Sequence, residues 1–318
     1  MQAAVLREPG IFCLEERPLP EPGPGQVRLR LEGCGVCTSN LEPFEGKPWF
    51  TYPFAPGAPG HEGWGVIDAL GPGVTGWEPG RRVAPISQHA YATHDLAAAN
   101  ELAALPEEVA GQPFPGEPLA CAVNILRRCG IKGGDHVAVV GIGFLGALLV
   151  RLAANAGARV IALGRRGTAL EAAARMGAEA SLALDDHWKI IAEIKERTAG
   201  VFCDVVIEAT GRAWPLDLAA ELTRERGRLV IAGYHQDGPR QINMQLWNWR
   251  GLDVVNAHER DPRVYLDGMR AAVAAVAAGE LDPRPLYTHI VPLAEIGEAF
   301  ALMRDRPAGF MKALVAMP

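Results

Sequence analysis

The pattern of apolar and polar positions divides the chain into two kinds of sequence. Up to about residue 118, short β-forming apolar runs at 3–6, 26–31, 65–70 and 82–85 are broken by Glu21-Pro-Gly-Pro-Gly25, Gly71-Pro-Gly73 and Glu78-Pro-Gly80. Proline presets φ and glycine permits positive φ, so these clusters mark turns and predict a β-rich domain of barrel or sandwich type. From Leu119 the period changes. Helix-spaced stretches at 119–128, 145–155, 168–176 and 214–222 alternate with apolar runs at 136–140, 159–163, 205–208 and 228–232, with a further run near 252–256. Such alternation predicts an α/β domain with a parallel sheet covered on both faces. After about residue 256 the pattern gives a helix near 264–278, a strand-like piece around His289, a helix near 294–303 and a last strand at 312–316.

The second region is organised around residues 135–166. A valine-rich run, 136–140, leads into Gly141-Ile-Gly143-Phe144-Leu145-Gly146, then a helical stretch and a second apolar run, 160–163. Gly141 allows the tight turn, Gly143 lets the backbone approach a pyrophosphate, and Gly146 lets the helix pack closely. The free N–H groups of the helix start then face the phosphates. By itself a GxGxxG is weak evidence; placed between a strand and a helix it predicts a dinucleotide site, the alternative being a glycine-rich turn of another α/β domain. At the end of the second run, where an acidic residue would accept bonds from an NAD ribose, stand Gly164, Arg165 and Arg166. A guanidinium can pair with a 2′-phosphate through two hydrogen bonds, so NADP(H) is favoured over NAD(H). The alternative is that both arginines are solvated and NAD binds without an acidic partner.

Composition narrows the class without changing this picture. The 318 residues are enough for two cores, and 49% hydrophobic with 21% charged residues describes an ordinary globular chain. A net charge of −6 offers no basic footprint for nucleic acid or an acidic membrane surface. No apolar run approaches the roughly 20 residues that span a bilayer, and the first nine residues lack a signal-peptide core, so the expected location is the cytoplasm. Six cysteines in a chain of this length do not make a disulfide framework.

Three segments carry metal-ligand chemistry: Gly33-Cys34-Gly35-Val36-Cys37-Thr38-Ser39-Asn40, then Gly60-His61-Glu62-Gly63, then Gly116-Glu117-Pro118-Leu119-Ala120-Cys121. Thiolate, imidazole and carboxylate are the donors a catalytic zinc takes. Local spacing does not join the three segments. Cys34 and Cys37 also fit half a zinc ribbon or a redox pair, and a lone cysteine is commonly a small buried hydrophobe.

These segments, in this order, resemble the medium-chain dehydrogenase/reductase superfamily, and in particular its zinc-dependent alcohol and polyol dehydrogenases of sorbitol- and threonine-dehydrogenase type. Glu208-Ala-Thr210-Gly211, Ala232-Gly233-Tyr234, Trp249-Arg-Gly251 and Thr288-His289-Ile-Val-Pro292 extend the resemblance along the whole chain. It implies a GroES-like catalytic domain built from both chain ends (1–118 and 256–318) with a Rossmann, doubly wound parallel-sheet domain (119–255) inserted between. It implies one catalytic zinc, with Cys37 and His61 as ligands and Glu62, Glu117 or a water completing the shell, and Ser39 as the hydroxyl that takes the alcohol's proton. It assigns the cofactor to Gly141, Gly143, Phe144, Leu145, Gly146, Gly164, Arg165, Arg166, Thr210, Gly233 and Lys312. Cys121 falls past the ligand position and reads as packing.

The chain departs from the pattern in places. Asn40 stands where the family usually has an aspartate that accepts from the histidine ligand, and Glu42 stands where a relay histidine often sits. The four-cysteine lobe of the structural zinc is replaced by the short piece 84–89, which argues for one zinc. Trp49, Phe50, Tyr52, His89 and His94 are candidates to line a substrate pocket, with packing as the alternative for each. The expected activity is hydride transfer between NADP(H), or NAD(H), and a secondary alcohol or polyol or its ketone, with small-molecule substrate and a homodimer or homotetramer as the assembly. The alternatives are a zinc-free quinone or enone reductase of the same superfamily and a non-catalytic NADPH-binding protein.

Overall fold

A computed structural model describes residues 1–318, which form two compact units, Met1–Ala120 with Asp261–Pro318, and Cys121–Arg260. In chain order the first unit begins with β1 (Gln2–Glu8), β2 (Ile11–Glu16), β3 (Gln26–Gly35), α1 (Leu41–Glu45), β4 (Glu62–Leu70), β5 (Arg82–Pro85), β6 (His94–Ala98) and β7 (Leu102–Ala104). Helix α2 spans Gly116–Cys129. The second unit continues with β8 (His136–Val140), α3 (Phe144–Asn155), β9 (Arg159–Gly164), α4 (Gly167–Arg175), β10 (Ala180–Ala183), α5 (His187–Arg197), β11 (Cys203–Glu208), α6 (Ala213–Leu222), β12 (Thr223–Ile231), α7 (Met244–Arg250) and β13 (Asp253–Asn256). The chain then returns to the first unit with α8 (Pro262–Ala277), β14 (Tyr287–Pro292), α9 (Ile296–Asp305) and β15 (Lys312–Ala316).

The second unit is a six-stranded parallel sheet in the order β10-β9-β8-β11-β12-β13. Counted within the sheet this is 3-2-1-4-5-6, the Rossmann order, in which the strand sequence reverses beside β8. Its strands read as near-continuous apolar runs because helices cover both faces. Ala138, Val140, Ile161, Leu163, Val206 and Leu229 join Leu216 and Leu222 of α6 in one core.

In the first unit a seven-stranded sheet runs β14-β15-β3-β4-β5-β7, with β6 also pairing β3, and β1 pairs β2 in a separate hairpin. Leu29, Leu31, Ile67, Tyr91 and Phe300 lie in its core. Strands β3 and β4 extend beyond the runs expected from sequence, to Gly35 and back to Glu62. The added residues include Gly33, Gly35 and Gly63, which have poor intrinsic strand preference. Antiparallel pairing holds them, with Gly35 opposite Glu62 and Cys34 opposite Gly63.

Several elements escaped the apolar pattern, among them α1, β2, β6, β7, β10, α5 and α7. Strand β2 lies largely exposed, and β10 is a four-residue edge strand without a β-branched residue. Caps define α5 and α7 instead. Asp186 accepts from the Lys189 amide at 2.9 Å and Asn243 from the Leu246 amide at 3.0 Å, satisfying N–H groups that a helix start leaves unpaired. No helix is long and apolar enough to cross a membrane.

Candidate active site

The end of β3 and the start of β4 are cross-strand neighbours, so Cys37, two residues past Gly35, meets His61 and Glu62. One donor atom from each of Cys37, His61 and Glu62 falls within 4.8 Å of the others. His61 places Nδ1 2.9 Å from the Pro59 carbonyl. Burial works against a charge on this imidazole. The Cys37 thiolate, with a hydrogen bond, and the charges of Glu117 and Glu62 outweigh burial and push its pKa up to about 10. Glu117, at the start of α2, accepts a hydrogen bond from the Tyr265 phenol.

Glu62 is itself an ion-pair partner. Strand β15 pairs with β3 on the side opposite β4, with Leu314 facing Gly35. Lys312 and Glu62 therefore reach over Gly35 from either side. A Cβ at that glycine would sit 1.9 Å from Glu62 Oε2 and 3.1 Å from Lys312 Cε. The Lys312 ammonium lies 2.7 Å from Oε1 and 2.5 Å from Oε2, and donates to the Val36 carbonyl at 3.0 Å. Both side chains are almost wholly buried. Lys312 belongs to the first unit, and the other residues expected at the cofactor belong to the second.

A second layer of hydrogen bonds lies behind His61. Asn40 Nδ2 donates to the Pro59 carbonyl at 3.1 Å and to the Tyr91 hydroxyl at 2.8 Å. Ser39 Oγ is 3.4 Å from Asn40 Oδ1, and the Tyr91 hydroxyl is 3.3 Å from the Gly35 carbonyl. Asn40 does not take the expected role of accepting from the histidine; both groups donate to the same carbonyl. Burial, helped by the Cys34 and Glu62 charges, raises the Tyr91 phenol well above the usual tyrosine range, so it stays neutral. Nothing in the local sequence announces Tyr91, which arrives from 51 residues beyond Asn40.

Of the other candidates in this unit, Glu42 is buried and Trp49 is exposed beside Phe50. Tyr52 donates to the Pro43 carbonyl, and His94 faces Asp68 at 3.6 Å.

In the second unit the glycine motif follows β8 directly and α3 begins at Phe144. Gly141 has φ +104°, and a Cβ on Gly146 would lie 2.1 Å from the Gly141 carbonyl oxygen, so both positions demand glycine. Nothing lies within 4 Å of a Cβ built on Gly143, the point where a pyrophosphate would approach. Phe144 is buried and Leu145 half-buried in the first turn of α3. Gly164 ends β9; Arg165 is exposed, and the half-buried Arg166 caps α4. Burial, then the neighbouring Arg165, lowers the Arg166 pKa, a local excess of positive charge.

Thr210 and Gly233 meet around the fully buried Glu208 at the end of β11. Its carboxylate accepts from the Thr210 amide at 2.6 Å, the Gly211 amide at 3.0 Å and the Thr210 hydroxyl, and its carbonyl accepts from the Gly233 amide at 2.8 Å. Arg240 Nε donates to His235 Nδ1 at 2.9 Å, so the proton of this imidazole lies on Nε2, 3.1 Å from Glu208 Oε2. The motif Glu208-Ala-Thr-Gly211 pointed to this loop; nothing in the pattern pointed to His235 or Arg240.

Comparison with known proteins bears on both units. Residues 23–141 match the alcohol dehydrogenase GroES-like domain, and residues 145–272 match the zinc-binding dehydrogenase domain. An alcohol dehydrogenase of Rhizobium meliloti (strain 1021) is 30% identical over 268 residues, 73% of this chain and 77% of that protein. A 2-dehydro-3-deoxy-L-galactonate 5-dehydrogenase of Pseudoalteromonas atlantica is 28% identical over 324 residues, covering 92% of each chain. Among solved structures, one described as a zinc-binding dehydrogenase of Sinorhizobium meliloti 1021, bound to NADP, has a TM-score of 0.85 at 26% identity and covers 99% of this chain and 98% of its own. The 2R,3R-butanediol dehydrogenase of Bacillus subtilis shares the fold with a TM-score of 0.86 at 24% identity, over 99% of both chains.

Proposed function

Because this chain belongs to the zinc-type medium-chain dehydrogenase/reductase superfamily and is an alcohol or polyol dehydrogenase, we propose that it uses one catalytic zinc at Cys37, His61, Glu62 and Glu117, with NADP(H) as hydride carrier. The observation that carries the metal reading is the donor cluster itself, together with its charge. Cys37, His61 and Glu62 supply thiol, imidazole and carboxylate donors, and the raised His61 and Lys312 pKa values mark a pocket that favours positive charge. The field that lifts the His61 pKa to about 10 is the same field that would hold a cation.

When bound, zinc supplies Lewis acidity toward an alcohol or carbonyl oxygen. The protein's own residues would do the rest. The Pro59 carbonyl turns the His61 ring so that Nε2 remains the donor atom, and Lys312 keeps Glu62 in place. Ser39 would take the alcohol's proton as it releases its own toward solvent, while Gly143 and the start of α3 would receive the pyrophosphate. Arg165 and Arg166, beside the N-terminus of α4, would receive the 2′-phosphate that separates NADP from NAD. The relatives' names favour a polyhydroxylated substrate.

We further read the protein as a cytoplasmic homodimer or homotetramer; the edge strand β13 and the 84% exposed Trp249 favour assembly. Elemental analysis with NADPH and NADH titrations on one sample tests the central reading. About one zinc per chain and tighter NADPH binding are expected. Cofactor binding without metal would point instead to a zinc-free enone reductase.

A further inference from the structure

We infer that Asn40 is the positioning residue for both His61 and Ser39, and that it works because its amide donates two hydrogen bonds that an aspartate at this place could not. A backbone carbonyl only accepts, so the Asn40 atom 3.1 Å from Pro59 O is the nitrogen, and the amide orientation is fixed by chemistry. The same carbonyl requires a proton on the ring nitrogen 2.9 Å away, His61 Nδ1. That leaves Nε2 as the ring atom for the hydrogen bond with Cys37, and the one that a metal would take in place of the proton. The second amide proton points to the Tyr91 oxygen at 2.8 Å, while the Tyr91 proton goes on to the Gly35 carbonyl at 3.3 Å. Asn40 Oδ1 is then the acceptor that faces Ser39 Oγ at 3.4 Å.

One direction of protons satisfies the whole set. Ser39 donates to Asn40, Asn40 donates to Pro59 and Tyr91, Tyr91 donates to Gly35, and His61 donates to Pro59. With its own proton directed at Asn40, the Ser39 oxygen presents its lone pairs as a hydrogen-bond acceptor to a substrate hydroxyl. A carboxylate at position 40 would set an oxygen against the Pro59 carbonyl oxygen and place a charge where Asn40 is 3% exposed and Tyr91 is fully buried. The effect on metal rests on the zinc reading above; the hydrogen-bond pattern does not.

The experiment has a metal-independent arm and a metal arm. In the metal-free wild-type protein, NMR should show both Asn40 side-chain amide protons protected from solvent exchange, and Tyr91→Phe should lose protection at one of them. Rapid exchange of both in the wild type would overturn the inference whether or not the protein binds zinc. In the zinc-loaded protein, competition with a chelator should show Asn40→Asp releasing zinc about 10- to 100-fold more readily, with NADPH binding unchanged. Equal or tighter zinc retention by Asn40→Asp would overturn it, making Asn40 a plain substitute for aspartate. A wild type that holds no zinc would remove the metal reading and leave the amide measurement to decide.

Discussion

The nucleotide loop and the metal-type pocket are built by opposite means. The loop is made of backbone: three glycines, a helix start and a buried parallel strand, all within residues 136–155. The pocket is made of side chains carried by β3, β4, β15, α2 and α8, joined only where the sheet pairs Gly35 with both Glu62 and Leu314. A backbone site tolerates almost any side-chain neighbour but no added atom at Gly141 or Gly146. A side-chain site of buried charges depends on each charge having its partner.

The sharpest separation of the two comes from Cys37→Ser. It removes the thiolate from the donor set and leaves the nucleotide loop untouched. Turnover should fall by more than the ~10–100-fold that indirect metal partners contribute, with NADPH affinity unchanged. Turnover within a few-fold of the wild type would end the zinc reading.

Lys312→Met tests the pocket's charge balance. It strands the Glu62 carboxylate in a buried site, at a cost of about 3–5 kcal/mol that denaturant unfolding of the metal-free protein would read. Lys312→Met with Glu62→Gln should recover most of that loss. Burial acts to lower the Lys312 pKa, but Glu62, Cys37 and Glu117 outweigh it and the net shift is upward. The folded value lies above the unfolded one, so this contribution is whole at neutral pH and is lost as pH climbs beyond the ordinary lysine range. A wild-type stability that shed the Lys312-dependent part below pH 8 would contradict the pairing.

The same contrast explains what could be read from the sequence. Strands β8 and β9 and helix α3 are visible because buried parallel strands are continuous apolar runs and glycines mark the turn. Cys37, His61 and Glu117 stand out by residue type and by family resemblance. Their partners do not. Tyr91 reads as an ordinary core aromatic and His235 with Arg240 as polar loop residues, while the resemblance assigns Lys312 to the cofactor and not to Glu62. Each has its role through a contact far along the chain or across a turn. Asn40 follows the same rule: residue type shows that an amide can accept or donate, but only the position of the Pro59 carbonyl shows that here it donates.

Gly146→Ala asks how strictly the backbone site is built. The new Cβ would sit 2.1 Å from the Gly141 carbonyl oxygen, a backbone atom that cannot swing aside. Helix α3 must shift against β8, at about 1–3 kcal/mol in stability, with weaker binding of NADPH and NADH alike. Metal content should not change. A variant that binds both cofactors as the wild type does would show that the loop is looser than its geometry.

The smallest expected effect, and the one that reads the cofactor, is Arg166→Ala. NADP and NAD differ by one phosphate on the adenosine ribose, so a residue that serves that phosphate must affect one cofactor and spare the other. A hydrogen bond to a charged group contributes about 1.5 kcal/mol at the low end, which is a loss of roughly 10-fold in NADPH affinity. Raised salt should shrink the difference, because Arg165 next to it is exposed and its share of the attraction is screened. Affinity for NADH should hold, since NADH carries no phosphate at that place. Fluorescence titration of both cofactors against wild type and variant gives the answer as a ratio. Equal loss for NADPH and NADH would mean that Arg166 supports the start of α4, and that neither arginine selects the cofactor.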